Sequence, residues 1–303
     1  LRLTDNINKY EEKKMKKYLL LMALILTGII VVSCGSTPPA EQPPAPPPPV
    51  SSAPPANAAA PVLGVNLSSR FFSPDGDGVD DTLTISLSCR SDAAVSNWSF
   101  EIFEPQPPNQ SFFKWNGNGN PPASLTWDGK SASGELVQSA SAYPYTFTAA
   151  NVQGTSSQFK GIIQVDILVM KDGDTLRVQV PSIMFAPNIG NFTGLDPQLS
   201  ASNQYILGRI AATLNNFKDY KVRIEGHANA TAATAALREK EQTQELLPLS
   251  EARARTVMDY LVSLGVDSSR LSYVGVGSAR PVAAYNDHAN WWKNRRVEFI
   301  LIK

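Results

Sequence analysis

Four carboxylates crowd into one short run, Ser73-Pro74-Asp75-Gly76-Asp77-Gly78-Val79-Asp80-Asp81. Asp75, Asp77, Asp80 and Asp81 repel one another unless something offsets their charge, and the glycines let the backbone curl until their oxygens converge. A hard cation such as calcium takes oxygens held that way, so a Ca²⁺ site on these four residues is one reading. A solvated, Asx-rich turn leading into a strand at Thr82 is the other, and no complete EF-hand loop accompanies the run. Elsewhere the chain is poor in reactive groups. Two histidines and two cysteines are too few for a disulfide framework and disfavour a His/Cys metal centre. Glycan cleavage wants two carboxylates across the bond, and amide hydrolysis wants a metal or an activated nucleophile. HExxH, GxSxG and a Cys/His pair are all missing from the sequence, so no enzyme is expected.

The first sixty residues point to an envelope location. Lys13, Lys14, Lys16 and Lys17 precede an apolar run from Tyr18 to Val32. That run is short against the ~20 residues of a membrane-crossing helix and fits a secretory signal over residues 1–33. Met15 heads the tract and is a candidate for the natural start. The run closes on Val31-Val32-Ser33-Cys34-Gly35, which resembles a bacterial lipobox; the resemblance implies a diacylglyceryl group on Cys34 and a lipid anchor to the membrane. Gly35 carries no obvious retention signal, so the expected site is the outer membrane with the folded part facing the periplasm. Ser36 to Pro61 is almost wholly Pro, Ala and Ser. It cannot bury a core and favours extended polyproline II, so its twenty-six residues reach at most roughly 80 Å at ~3.1 Å per residue, and residues 34–62 read as a linker. Charge is balanced, 27 basic against 27 acidic residues, so no nucleic-acid partner follows from it.

Residues 63–171 read as an all-β sandwich. Thr82–Leu87, Trp98–Phe103, Tyr145–Ala149 and Ile162–Val169 are candidate strands, punctuated by Asn116-Gly117-Asn118-Gly119, Pro121-Pro122 and Asp128-Gly129. About one hundred residues cannot easily supply a membrane barrel. Leu125-Thr126-Trp127-Asp128-Gly129-Lys130, then Gly134 and Ala142-Tyr143-Pro144-Tyr145, resemble the FlgD-type Ig-like module. That resemblance implies a spacer or docking surface.

Residues 172–303 read as an α+β domain of order β-α-β-α-β-β. A strand ending at Ile183-Met184-Phe185 leads to a helix with Ile206, Ile210 and Leu214 at intervals of four. The strand Val222-Arg223-Ile224 runs into the turn Gly226-His227. Ser250 is the expected N-cap of a second helix, whose apolar stripe is Ala254, Val257, Met258, Leu261 and Val262 and whose end is Gly265. Tyr273–Val276 and Val297–Ile302 supply the last strands.

Gly226-His227, Leu249-Ser250-Glu251-Ala252-Arg253-Ala254, Gly275-Val276-Gly277 and Asn294-Arg295-Arg296-Val297-Glu298 occur in the order of the OmpA-like family, and Ile183–Lys303 resembles it throughout. The resemblance implies non-covalent binding of peptidoglycan through its stem peptide, commonly the diaminopimelate end, with a carboxylate beside an ammonium. It puts Arg253 on the carboxylate, helped by the N-terminus of the second helix, and Asn188 in the same pocket. Asn294 and Arg296 match the closing motif as support. Two departures stand out. Ala228-Asn229 replaces the family's Thr-Asp, so Asn229 offers an acceptor without charge, and Leu246 replaces a family asparagine in a segment, Thr231–Pro248, that is longer than usual. Arg253 could instead pair with Glu251 or Glu298. His227 packs a turn, and Trp291-Trp292 either closes a core or stacks on glycan. The expected function is a lipoprotein tethering membrane to wall. The alternative is an adhesion protein whose β-module binds an envelope partner while the wall domain fixes its position.

Overall fold

Strands that alternate apolar and polar residues bury one face, and Leu83–Arg90 and Ala142–Asn151 alternate in this way. The computed structural model describes residues 58–303. The expected signal peptide, Cys34 and nearly all of the proline-rich segment lie outside the described residues. No described helix is long and apolar enough to cross a membrane.

The first part is built from β1 (Val62–Leu67), β2 (Leu83–Arg90), β3 (Val95–Phe103), β4 (Ser111–Asn118), β5 (Ser124–Trp127), β6 (Ala142–Asn151) and β7 (Ser156–Gln164). They form a sheet of order β1-β2-β5 and another of order β4-β3-β6-β7, antiparallel throughout. Leu83, Ile85 and Trp127 of one sheet and Phe100, Phe147 and Ile163 of the other share one apolar core. Phe100 and Tyr145 stack with ring centroids 4.9 Å apart. The tryptophan turn is held from within: Trp127 is buried, its Nε1 donates to the Lys130 carbonyl at 2.8 Å, and Gly129 turns the chain at φ +80°.

Two expectations here are corrected. The strand foreseen over Ile162–Val169 stops at Gln164; Val165 pairs with Phe72 instead, and Ile167 is buried in the core of the second part. Asn116, Gly117 and Asn118 are not a turn but the end of β4. Gly117 is glycine because the Trp98 ring lies against it, with Nε1 2.8 Å from where a Cβ would stand.

The second part contains β8 (Met170–Asp172), β9 (Thr175–Val180), α1 (Pro197–Asn216), β10 (Lys221–His227), α2 (Ala235–Glu241), α3 (Leu247–Ser263), β11 (Leu271–Gly277), α4 (Trp291–Asn294) and β12 (Val297–Ile302). The sheet order is β11-β10-β12-β9-β8, with β10 and β11 parallel and the other pairs antiparallel. From β9 onward this is the expected β-α-β-α-β-β order, with the short helices α2 and α4 inserted and β8 added at the edge. The foreseen border between residues 171 and 172 therefore falls inside a strand. β9 ends at Val180 rather than at Phe185, because Pro181 has no N–H to continue the ladder. Met184 is instead held by Asn203 of α1, which accepts from its N–H at 2.9 Å and donates to its carbonyl at 2.7 Å.

Val178, Val180, Val222, Ile224, Val297, Phe299 and Leu301 point to the helices. There they meet Ile206, Leu207, Ile210 and Leu214 of α1 and Ala254, Val257 and Leu261 of α3. Each such side chain contributes ~1.5–3 kcal/mol. Asp196 caps α1 by accepting from the amides of Gln198 and Leu199. Gly265, at φ +88°, closes α3: its amide reaches the Val262 carbonyl and that of Val266 reaches Leu261, which is a Schellman closure.

Ser250 is not an N-cap. A π-turn, Gln242–Leu246, joins α2 to α3, so helical backbone runs on through Ser250. Its buried hydroxyl donates to the Leu247 carbonyl at 3.0 Å and accepts from the Gly277 amide at 2.9 Å, tying α3 to the end of β11.

Candidate functional site

The end of β10, the loop after β9, the α2–α3 segment and the entry to β12 surround a cleft of about 660 Å³. Arg253, Asn188, Asn229 and Arg296 all line it; Asn294 does not.

Arg253 comes from the second turn of α3 and lies over the Phe185 ring, 4.9 Å from its centroid. Its Nε donates to the Ile189 carbonyl at 3.1 Å and one terminal nitrogen to Ala186 at 3.3 Å. It forms an ion pair with neither Glu251 nor Glu298. Burial and the charge of Arg295 lower its pKa, both acting against the cation. The helix dipole offers nothing here, because the residues before α3 are themselves helical and the amides of its first turn are already within helix. Asn188 sits in the loop that Arg253 grips, exposed and at φ +58°, a conformation asparagine tolerates better than most residues.

Asn229 and Asn294 form a unit. Asn294 is buried; its Oδ1 accepts from the amides of Val282 and Ala283 at 2.8 Å each, and its Nδ2 donates to Asn229 Oδ1 at 2.7 Å and to the Ala283 carbonyl at 2.9 Å. Every hydrogen-bonding position it has is used, so it positions Asn229. The Asn229 Nδ2 donates onward to the Ala230 carbonyl at 2.9 Å.

Behind the cleft, on the sheet face away from the helices, lies a buried charged ladder. Arg296 donates to Glu298 Oε1 at 2.6 Å, and Arg223 to Glu225 Oε1 at 2.8 Å; Arg280 also pairs with Glu225. His227 Nε2 is 3.8 Å from both Glu225 and Glu298. Burial lowers the His227 pKa despite these carboxylates, which keeps the ring neutral at pH 7. The carboxylates are already engaged by arginines, so this group is an ion-pair lattice beneath the cleft rather than a cation cage. The buried His227 ring also lines the cleft.

Sequence reasoning gave no site role to three lining residues, Glu241, Glu245 and Arg295. Arg295 was visible as the neighbour of Arg296 in the closing motif, and both line the cleft. Trp292 is buried at the cleft, while Trp291 packs on His288 with centroids 4.3 Å apart; the pair closes structure. Glu241 and Glu245 were hidden because a π-turn has no residue signature.

The acidic loop behaves as a self-capped turn. Asp81 accepts from the amides of Gly76 and Gly78, Asp77 from Val79 and Asp75 from Val169. Asp75, Asp77 and Asp81 converge; Asp80, foreseen as a fourth ligand, is not among them and instead sits at φ +54° in the turn. Asp75 is held from outside the loop, by Val169, and its Oδ1 is buried without a hydrogen-bond partner.

Residues 191–295 match the OmpA family model. The match does not reach the β-sandwich, and nothing in the comparisons supports a FlgD-type identity for it. The chain is 38% identical over 116 residues to a peptidoglycan-associated lipoprotein of Mesorhizobium japonicum, covering 37% of this chain and 64% of that protein. It is 35% identical over 96 residues to the peptidoglycan-binding protein ArfA of Mycobacterium bovis, covering 32% and 27%. The chain thus spans somewhat under two thirds of the Mesorhizobium protein's length. Among solved structures, the periplasmic domain of Helicobacter pylori MotB aligns at a TM-score of 0.36 with 21% identity, covering 45% of this chain and 78% of that one.

Proposed function

We propose that the chain is a cell-envelope lipoprotein whose C-terminal domain binds the stem peptide of peptidoglycan in the cleft around Arg253, so that an anchor at Cys34 ties the outer membrane to the wall. The observation that carries this reading is Arg253 itself. It is an arginine held rigid by two carbonyls and an aromatic ring, beside Arg295, and without a carboxylate partner among the described residues. Two guanidiniums at one cleft attract an anion, and a planar fork suits a carboxylate. The family match over residues 191–295 and the names of the relatives support peptidoglycan as the source of that carboxylate. Asn188 and Asn229 line the same cleft as polar contacts, while Asn294 and Arg296 hold its walls.

The test is pelleting with purified sacculi. The full chain sediments with them, and Arg253→Ala weakens the association by roughly ten- to a hundredfold, the equivalent of one hydrogen-bonded charge pair at ~1.5–3 kcal/mol. Equal sedimentation of both proteins removes Arg253 from the binding site.

A further inference from the structure

We infer that the groove between the sandwich and the C-terminal domain is a second wall-binding site, which takes the N-acetylated sugars of the glycan strand. The inference rests on the proposed binding of a stem peptide and follows that ligand back to the sugar from which the stem hangs.

The groove holds about 500 Å³. The sandwich lines it with Phe71, Gln106 and Gln164, and the C-terminal domain with Ser182, Met184 and Tyr205. Gln106 and Met184 line the cleft around Arg253 as well, so the two depressions adjoin. Met184 is fixed by its two hydrogen bonds to Asn203, which keeps the strip between them in place. A three-residue stem reaches at most roughly 11 Å, so a ligand anchored at Arg253 keeps its sugar beside the cleft. The two depressions differ in chemistry. Arginines and glutamates line the cleft. In the groove Asp166 and Arg209 pair with each other, and the exposed Arg70 is the remaining charge. Hydroxyls and side-chain amides in a wall of little charge suit a neutral, polyhydroxylated ligand. The groove also offers a ring. One face of Phe71 is covered by the Arg209 guanidinium, 4.1 Å from its centroid, but Tyr205 on α1 is exposed and presents an apolar face with a polar edge, as a sugar does. Within the groove the Ser182 Oγ is buried and has no hydrogen-bond partner among the described residues. A buried hydroxyl left unpaired is costly, and a sugar hydroxyl or acetamido group supplies what it lacks.

The experiment is calorimetric titration of the full chain with two probes. One is a stem tripeptide; the other is that tripeptide attached to the disaccharide of N-acetylglucosamine and N-acetylmuramic acid. The chain binds the second about tenfold more tightly, the worth of one net hydrogen bond and a ring contact. Tyr205→Ala and Ser182→Ala each cut that gain by about threefold and leave the tripeptide's affinity unchanged, whereas Arg253→Ala weakens both probes alike. Ser182→Ala does not lower the midpoint in urea, because its hydroxyl has no partner to lose. Equal affinity of the unaltered chain for the two probes, or a gain that survives both groove substitutions, overturns the glycan site while leaving Arg253-dependent binding intact. Failure of the unaltered chain to bind either probe overturns this inference together with the reading of the cleft.

Discussion

Glu225 shows how individual residues beneath the cleft depend on one another. Its burial pushes its carboxyl pKa up, but His227, Arg223 and Arg280 beside it outweigh that and hold it at about 2, against an ordinary 4.5. A carboxyl depressed by folding stabilises the fold above its unfolded pKa and loses that contribution as pH falls towards the folded one. Denaturant titrations should therefore show stability dropping between about pH 4.5 and 2, by on the order of 3 kcal/mol. Glu225→Gln should flatten that limb. A similar acid limb in both proteins would mean that Glu225 is not held by its neighbours. The same economy governs Asn294, whose four hydrogen bonds leave it no capacity for a ligand.

The element that decides the site is the continuous α2–π–α3 segment. It lies so close to the sheet that a Cβ on Gly226 would stand 2.0 Å from the Ser250 carbonyl oxygen, and one on Gly275 would stand 2.5 Å from that of Leu247. Backbone meets backbone at both places, so neither clash can be relieved by a rotamer. Gly226→Ala should cost at least about 3 kcal/mol by overpacking, read as a lowered midpoint in urea, and should disturb Arg253 three residues beyond Ser250. A midpoint within error of the parent would show that α3 can lift from β10 freely.

The whole molecule is joined across its two parts by a buried lysine. Lys293, next to Asn294, donates to Glu104 at 2.8 Å and to Glu135 at 2.6 Å, both in the sandwich. Gln179 on β9 adds a bond to Gln138 at 3.1 Å, and Arg209 pairs with Asp166. These contacts hold the C-terminal domain against the sandwich. Removing one partner of a buried pair strands the other, at ~3–5 kcal/mol, and Glu104 already has a raised pKa from burial in spite of Lys293. Lys293→Met should destabilise the chain by that amount at neutral pH. The loss should shrink towards about pH 4, since a carboxyl whose pKa is raised by folding opposes folding only where it is ionised in the unfolded chain. An unchanged denaturation midpoint would mean that the two parts do not depend on this contact.

Local pattern was enough to specify much of this protein. Alternation exposed the strands around Ile85, Phe100 and Phe147, the four-residue spacing exposed α1, and Gly265 marked the end of α3, because each is set by contacts within a few residues. The motif carrying Arg253 and Asn294 was equally legible. What the sequence left open was decided by packing between distant segments. Ser250 became a tie to β11 because the helix had already begun at Ala235. β9 stopped at a proline, and the loop beyond it was captured by Asn203. Ile167 left one core for another. Glu245 came to line the cleft on a π-turn, invisible in residue type, that Gln242 ties to the far end of β11. Secondary structure follows short-range periodicity, whereas the meeting of charges in a cleft depends on which chain segments exclude water together.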